Sequence, residues 1–197
     1  MKTMSERLSR GGNMVCPPWM CFTFDNIFRR LIHNPERMLS PYVDEGNTVL
    51  DIGPGKGFFT IPLAGLVGPE GTVIAADLQQ PMLDAIMKRA RRANLADRVA
   101  LHLTGSDTLG VDRNIDFALA FWMVHEVPDQ AKFFTEIHSL LKPDGRFLMV
   151  EPGIHVTEEA FEASVKTAVD CGLTLIDRPK IRISRAALFG GSGPGSV

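Results

Sequence analysis

The chain has 197 residues, 45% of them hydrophobic and 22% charged, with a formal net charge of -2. That length suffices for one domain with a sizeable core, and the near-neutral balance argues against a basic nucleic-acid binder or a charged interaction tail. No stretch reaches the ~18 apolar residues of a membrane span, and no signal-peptide pattern opens the chain. Three cysteines (Cys16, Cys21 and Cys171) are too few for a disulfide framework, so a reduced cytoplasmic protein is expected.

Residues 1–13 are polar and read as disordered. Residues 14–43 read as a short helical cap over the sheet, broken near Asn34 and Pro35. The segment 48–51 (TVLD) predicts a first buried strand, followed by a glycine turn and a helix over 58–66. A second strand is expected at 72–77 (TVIAAD). A helix opens at Pro81, because proline suits the first helical turn, and runs to Ala93. Strands follow at 99–103 and 115–121, a helix at 129–141, a turn at Pro143-Asp144-Gly145 and a fifth strand at 146–151. Thr157 caps a further helix to about Cys171, with Glu158 and Glu159 well placed in its first turn. Segments 173–177 and 181–189 predict a last strand pair, and 190–197 (GGSGPGSV) reads as a flexible tail or an engineered scar.

Strands that alternate with helices indicate a mostly parallel α/β sheet. The connection between the last two strands is far shorter than the dozen residues a parallel crossover needs, so that pair should be antiparallel. The expected architecture is therefore α/β: a Rossmann-like, seven-stranded, mostly parallel sheet with an antiparallel last strand, helices on both faces and a short N-terminal helical cap. It forms a single domain over 14–189.

The turn Asp51-Ile52-Gly53-Pro54-Gly55-Lys56-Gly57 carries the strongest chemical signal. A phosphate-gripping P-loop would need a glycine where Leu50 stands and Ser or Thr where Gly57 stands. A dinucleotide fingerprint would need glycine at Phe58, which disfavours an NAD-linked oxidoreductase. Three glycines at alternate positions beside a strand-end acid are more than a plain turn requires. Asp77 ends the second strand ~20 residues on, where a carboxylate in such folds receives ribose hydroxyls.

The pattern D-x-G-x-G-x-G resembles the first motif of class I S-adenosylmethionine (SAM)-dependent methyltransferases. The segments 115–127 (IDFALAFWMVHEV) and 140–151 (LLKPDGRFLMVE) resemble that family's later strand motifs, with Asp144 in place of a frequent glycine. The resemblance spans roughly residues 40–189. Within the class it is nearest in look to small-molecule enzymes of the ubiquinone/menaquinone and arsenite types.

The resemblance implies SAM as cofactor, S-adenosylhomocysteine as product, and a small-molecule acceptor methylated by in-line displacement. Neither nucleic acid nor membrane is expected as a partner, and the chain should act as a monomer or homodimer. By the same resemblance Gly53, Gly55 and Gly57 line the methionine half of SAM, Asp51 sits near its ammonium, and Asp77 holds the ribose. Leu78 packs on adenine, Ser106 or Asp107 reads its edge, and Phe121 and Trp122 border the methyl group.

The sulfonium is already activated, so a general base is optional. His125 and Glu126 are the favoured candidates, with Glu151 and His155 behind them. Two alternatives stay open: a non-catalytic SAM- or nucleotide-binding regulatory module, and a thiophilic-metalloid methyltransferase using Cys16 and Cys21. The Cys16/Cys21 pair, with His33 as a third donor, falls short of a full metal site, so no metal is expected. The stripe Phe24, Ile27, Phe28 and Leu31 reads equally as sheet packing or as a lid with Trp19 and Phe22.

Overall fold

A computed structural model describes residues 33–191 of the chain. The readings for residues 1–13, for Cys16 and Cys21, and for the aromatic stripe of the cap up to Leu31 lie outside the described residues, as does most of the proposed tail.

Asn34 accepts the backbone N–H of Arg37, and Pro35 supplies a preset φ, so a short helix α1 forms over Pro35–Leu39. Strand β1 (Thr48–Ile52) leads through the glycine turn into α2 (Thr60–Leu66). Strand β2 (Thr72–Asp77) is followed by α3 (Gln80–Arg92), then by β3 (Val99–Leu103) and β4 (Ile115–Phe121). Helix α4 (Gln130–Leu140) is capped by Asp129, whose carboxylate accepts the Lys132 N–H at 2.9 Å. Strand β5 (Leu141–Pro152) follows directly. Helix α5 (Glu158–Asp170) is capped by the Thr157 hydroxyl, and the chain then runs through β6 (Thr174–Asp177) and β7 (Ser184–Gly190).

The seven strands form one sheet in the order β3-β2-β1-β4-β5-β7-β6. Strands β1 to β5 pair in parallel, and β7 is antiparallel to both β5 and β6. Side-chain alternation sends Leu50, Ile52, Ala118, Ala120, Phe147 and Met149 to one face, under α4 and α5. It sends Val49, Phe117, Leu119, Leu148 and Val150 to the other, where α2 and α3 pack with Leu63, Leu83 and Ile86. Both faces are covered, as a parallel sheet demands.

Four boundaries depart from the sequence reading. Helix α2 begins at Thr60, not Phe58, because Gly57 holds φ +81 and its N–H closes a turn on the Pro54 carbonyl. The expected turn at 143–145 lies inside β5 as an irregularity: Ile115 faces Leu141 and Phe117 faces Arg146, so residues 142–145 stand opposite Asp116 alone. The last strand starts at Ser184, because Ile183 has φ +54 and the Ser184 N–H closes a turn on the Ile181 carbonyl. Gly190, expected to open the tail, is instead the last residue of β7 and pairs with Arg146 and Thr174.

Candidate active site

The strand order reverses between β1 and β4, and such a switch point opens a crevice at the carboxyl ends of the strands. The glycine turn leaves β1 there. Gly53, Gly55 and Gly57 all have positive φ (+62, +54 and +81), a region that side-chain-bearing residues enter at a cost of ~1–2 kcal/mol. A Cβ on Gly57 would press on Ile86 at 3.0 Å, so this glycine lets α3 close on the turn. A Cβ on Gly55 would meet nothing within 4 Å, so here the backbone borders open space.

Three acids are buried at this edge, one at or near the end of each of three strands. Asp51, 1% exposed, accepts the Thr60 hydroxyl at 2.7 Å. Asp77 accepts the Gln79 N–H at 2.8 Å. Burial pushes the Asp77 carboxyl above the ordinary carboxylate range, against the opposite pull of backbone N–H groups at Gln79, Gly55 and Leu78. Glu151, also 1% exposed, accepts the Val124 N–H at 2.8 Å on one oxygen and bonds His125 Nδ1 with the other.

The turn after β4 stands over the crevice from the other side. Met123 lies where a Cβ on Gly53 would meet it at 3.2 Å. Trp122 has φ +63, its N–H donates to the Val150 carbonyl at 2.7 Å, and its indole N–H donates to the Ser184 hydroxyl at 3.0 Å. The Phe121, Trp122 and His33 rings form a cluster with centroids 5.2–5.7 Å apart, and Phe59 tilts against Phe121 at 4.4 Å. His33 Nε2 also contacts the Arg182 carbonyl at 3.3 Å, which ties the end of the cap to the β6–β7 loop. Next in the turn, His125 Nε2 stands 3.9 Å from a Glu126 oxygen. Hydrogen bonding to Glu151 raises the His125 pKa above its ordinary value, burial opposes this, and the charges of Glu151 and Glu126 add to the rise.

The structure brings several of the sequence-selected residues together: Asp77 with Gly55, Phe121 with Trp122, and His125 with Glu126 and Glu151. Leu78, 45% exposed, presents apolar surface beside Asp77. Ser106 and Asp107 are both exposed, and Asp107 is drawn toward α4 by Lys132 at 3.1 Å, leaving Ser106 the less committed of the two. His155, three residues past the Pro152 end of β5, has its backbone N–H in a turn on the Pro152 carbonyl. Sequence reasoning missed the double grip of Glu151 and the Thr60 hydroxyl on Asp51. The one local signal for Glu151 was an acid closing an apolar strand, as Asp77 closes β2.

The residues fit SAM: open backbone at Gly55, a carboxylate at the end of β2 beside it, and a second strand-end acid beneath the turn. That cofactor supplies a methyl group already activated by a sulfonium.

Fold and crevice together define a class I methyltransferase. The family described as "Methyltransferase domain" matches residues 43–184, and the chain belongs to it. Over 110 residues the chain is 36% identical to a demethylmenaquinone methyltransferase of Lactobacillus johnsonii, covering 55% of this chain and 45% of that one. It is 32% identical over 110 residues to a ubiquinone/menaquinone biosynthesis C-methyltransferase of Pasteurella multocida, covering 55% and 41%. The matched segment thus spans less than half the length of these relatives. Among solved structures, a SAM-dependent methyltransferase from Aquifex aeolicus superimposes with TM-score 0.79 at 22% identity, covering 89% of this chain and 98% of that one. A TehB-like SAM-dependent methyltransferase from Corynebacterium glutamicum gives 0.68 at 17%, covering 89% and 100%. Both share the fold. No helix among the described residues is long and apolar enough to cross a membrane.

Proposed function

We propose that this chain holds SAM in the crevice between β1 and β4 and transfers its methyl group to a small, quinone-related acceptor by in-line displacement. The observation that carries the reading is the open backbone at Gly55 flanked by the buried carboxylate of Asp77. Gly53, Gly55 and Gly57 admit the methionine half, Asp51 faces its ammonium, and Asp77 receives the ribose hydroxyls. Leu78 and Ser106 border the adenine. Phe121 and Trp122 wall the reacting end, where an aromatic face also favours a sulfonium. His125, with Glu126 beside it, is the proton acceptor. The quinone-type acceptor follows the printed names of the relatives, and the ring cluster at Phe121 and Trp122 suits a flat molecule. The protein's part in the transfer is to align the nucleophile and exclude water.

Calorimetric titration with S-adenosylhomocysteine, beside NAD and an Asp77→Ala control, tests the cofactor site. Hydrogen bonds to a charged group contribute about 1.5–3 kcal/mol, so the variant should bind at least ~10-fold more weakly. Tighter binding of NAD, or no binding of S-adenosylhomocysteine by folded protein, would overturn the reading. Transfer of labelled methyl from SAM to reduced demethylmenaquinone, but not to a thiol, is the expected acceptor result.

A further inference from the structure

A glutamate nearly sealed from solvent at the end of a sheet strand is costly unless both oxygens are used. In this chain both serve a single three-residue turn. One oxygen of Glu151 takes the Val124 N–H, the other takes His125 Nδ1, and Gln130 Nε2 braces the same turn by donating to the Val124 carbonyl at 3.1 Å. The ring is therefore fixed at one nitrogen by a buried group on β5 and presents the other outward, the His125 side chain being one-third exposed. The charged groups facing the imidazole are Glu151 from β5 and Glu126 from its own turn. Packing alone does not require both bonds: the Val124 N–H is itself buried and needs one carboxylate oxygen, which leaves the second for the half-exposed ring of His125.

We propose that Glu151 is a positioning residue that holds His125 with its proton on Nδ1 and its lone pair on Nε2, the nitrogen that takes the proton of the acceptor hydroxyl. The proposal rests on the methyltransferase reading above. A bonded Nδ1–H leaves Nε2 as the acceptor nitrogen. In the transfer the hydroxyl O–H bond breaks and its proton passes to Nε2. The freed electron pair forms the bond to the methyl carbon as the carbon–sulfur bond breaks, and the pair from that bond leaves the sulfur neutral. The new bond forms at oxygen or, by conjugation, at the adjacent ring carbon, whose own hydrogen then moves to the oxygen.

The first test needs no acceptor. Nitrogen-15 NMR of the histidine rings, with His125→Asn assigning its signals, should show the neutral ring of His125 protonated on Nδ1 and titrating above 6.5. In Glu151→Gln the titration should fall and the proton should redistribute toward Nε2, with S-adenosylhomocysteine binding kept within about threefold. With reduced demethylmenaquinone and a simple catechol as probes, kcat of His125→Asn and of Glu151→Gln should drop ~100-fold or more with KM little changed. The wild-type rate should rise with pH through the titration that NMR assigns to His125. An Nε2–H ring in the wild-type protein, or a rate flat across that titration, would overturn the proposal, and neither depends on Glu151→Gln folding. Failure of wild-type protein to bind S-adenosylhomocysteine would sink the methyltransferase reading instead, leaving the NMR result to judge Glu151 on its own.

Discussion

The two ends of the sheet strands are built on opposite principles. At the amino end, polar groups are spent on closure: Asp116 receives the Thr48 N–H and the Lys142 ammonium, each at 2.8 Å. Two glycines there exist for lack of room: a Cβ on Gly71 would stand 2.4 Å from the Val67 carbonyl oxygen and one on Gly145 2.9 Å from that of Ile115. At the carboxyl end the glycine turn bends through left-handed conformations and leaves space at Gly55. The five buried polar residues among those described are His33, Asp51, Thr60, Asp77 and Glu151, and every one lies at this end. One end is finished as structure; the other holds desolvated polar groups beside the glycine turn, the arrangement that the proposed SAM site calls for.

Glycine substitutions break the comparison most sharply. Gly71→Ala must displace backbone and should cost about 1–3 kcal/mol of stability. For a chain of this size that lowers Tm by about 2–4 °C per kcal/mol, while S-adenosylhomocysteine affinity stays unchanged. Gly55→Ala should reverse the pattern. Its left-handed φ costs ~1–2 kcal/mol, but the methyl group enters the crevice and should weaken S-adenosylhomocysteine at least ~10-fold. Calorimetry beside thermal melts of both variants reads the crossover. Equal binding losses in the two would erase the distinction between the ends.

Smaller effects follow from titration. The Asp77 pKa is raised on folding, so the native state binds its proton more tightly, and stability falls as pH rises from the ordinary value of 3.8 through the folded value. Asp77→Asn should therefore be more stable than wild type at neutral pH, with the gap closing in acid, as urea midpoints at several pH values would show. His125 is also raised, from 6.5, so its contribution is fully present below that value and is lost as pH climbs through the folded one. His125→Gln should flatten that part of the stability profile. A slope that survives the substitution would assign the titration elsewhere.

The short apolar runs of β1, β4 and β5, the antiparallel β6–β7 pair and the cap at Thr157 were legible because each is a local pattern. The glycine turn was legible for the same reason, as was Asp77. What stayed hidden depends on partners far along the chain. Glu151 meets Val124 and His125 only because β4 and β5 lie side by side, 27 and 26 residues apart in sequence. The indole N–H of Trp122 reaches Ser184 across 62 residues. Residues 142–145 look like a plain turn until their position opposite Asp116 makes them an irregularity within a strand.

Strand β7 is inserted between β5 and β6, both of which precede it in the chain. During synthesis the sheet therefore cannot close in the order in which its strands emerge. Until residue 190 is free, β5 carries an unpaired edge beside Phe147 and Met149, a surface prone to joining other chains. The burden of keeping a nascent chain apart from its neighbours thus falls on β7, and stop codons or proteolytic nicks shortly before Ser184 should be far more damaging in the cell than their distance from the crevice suggests.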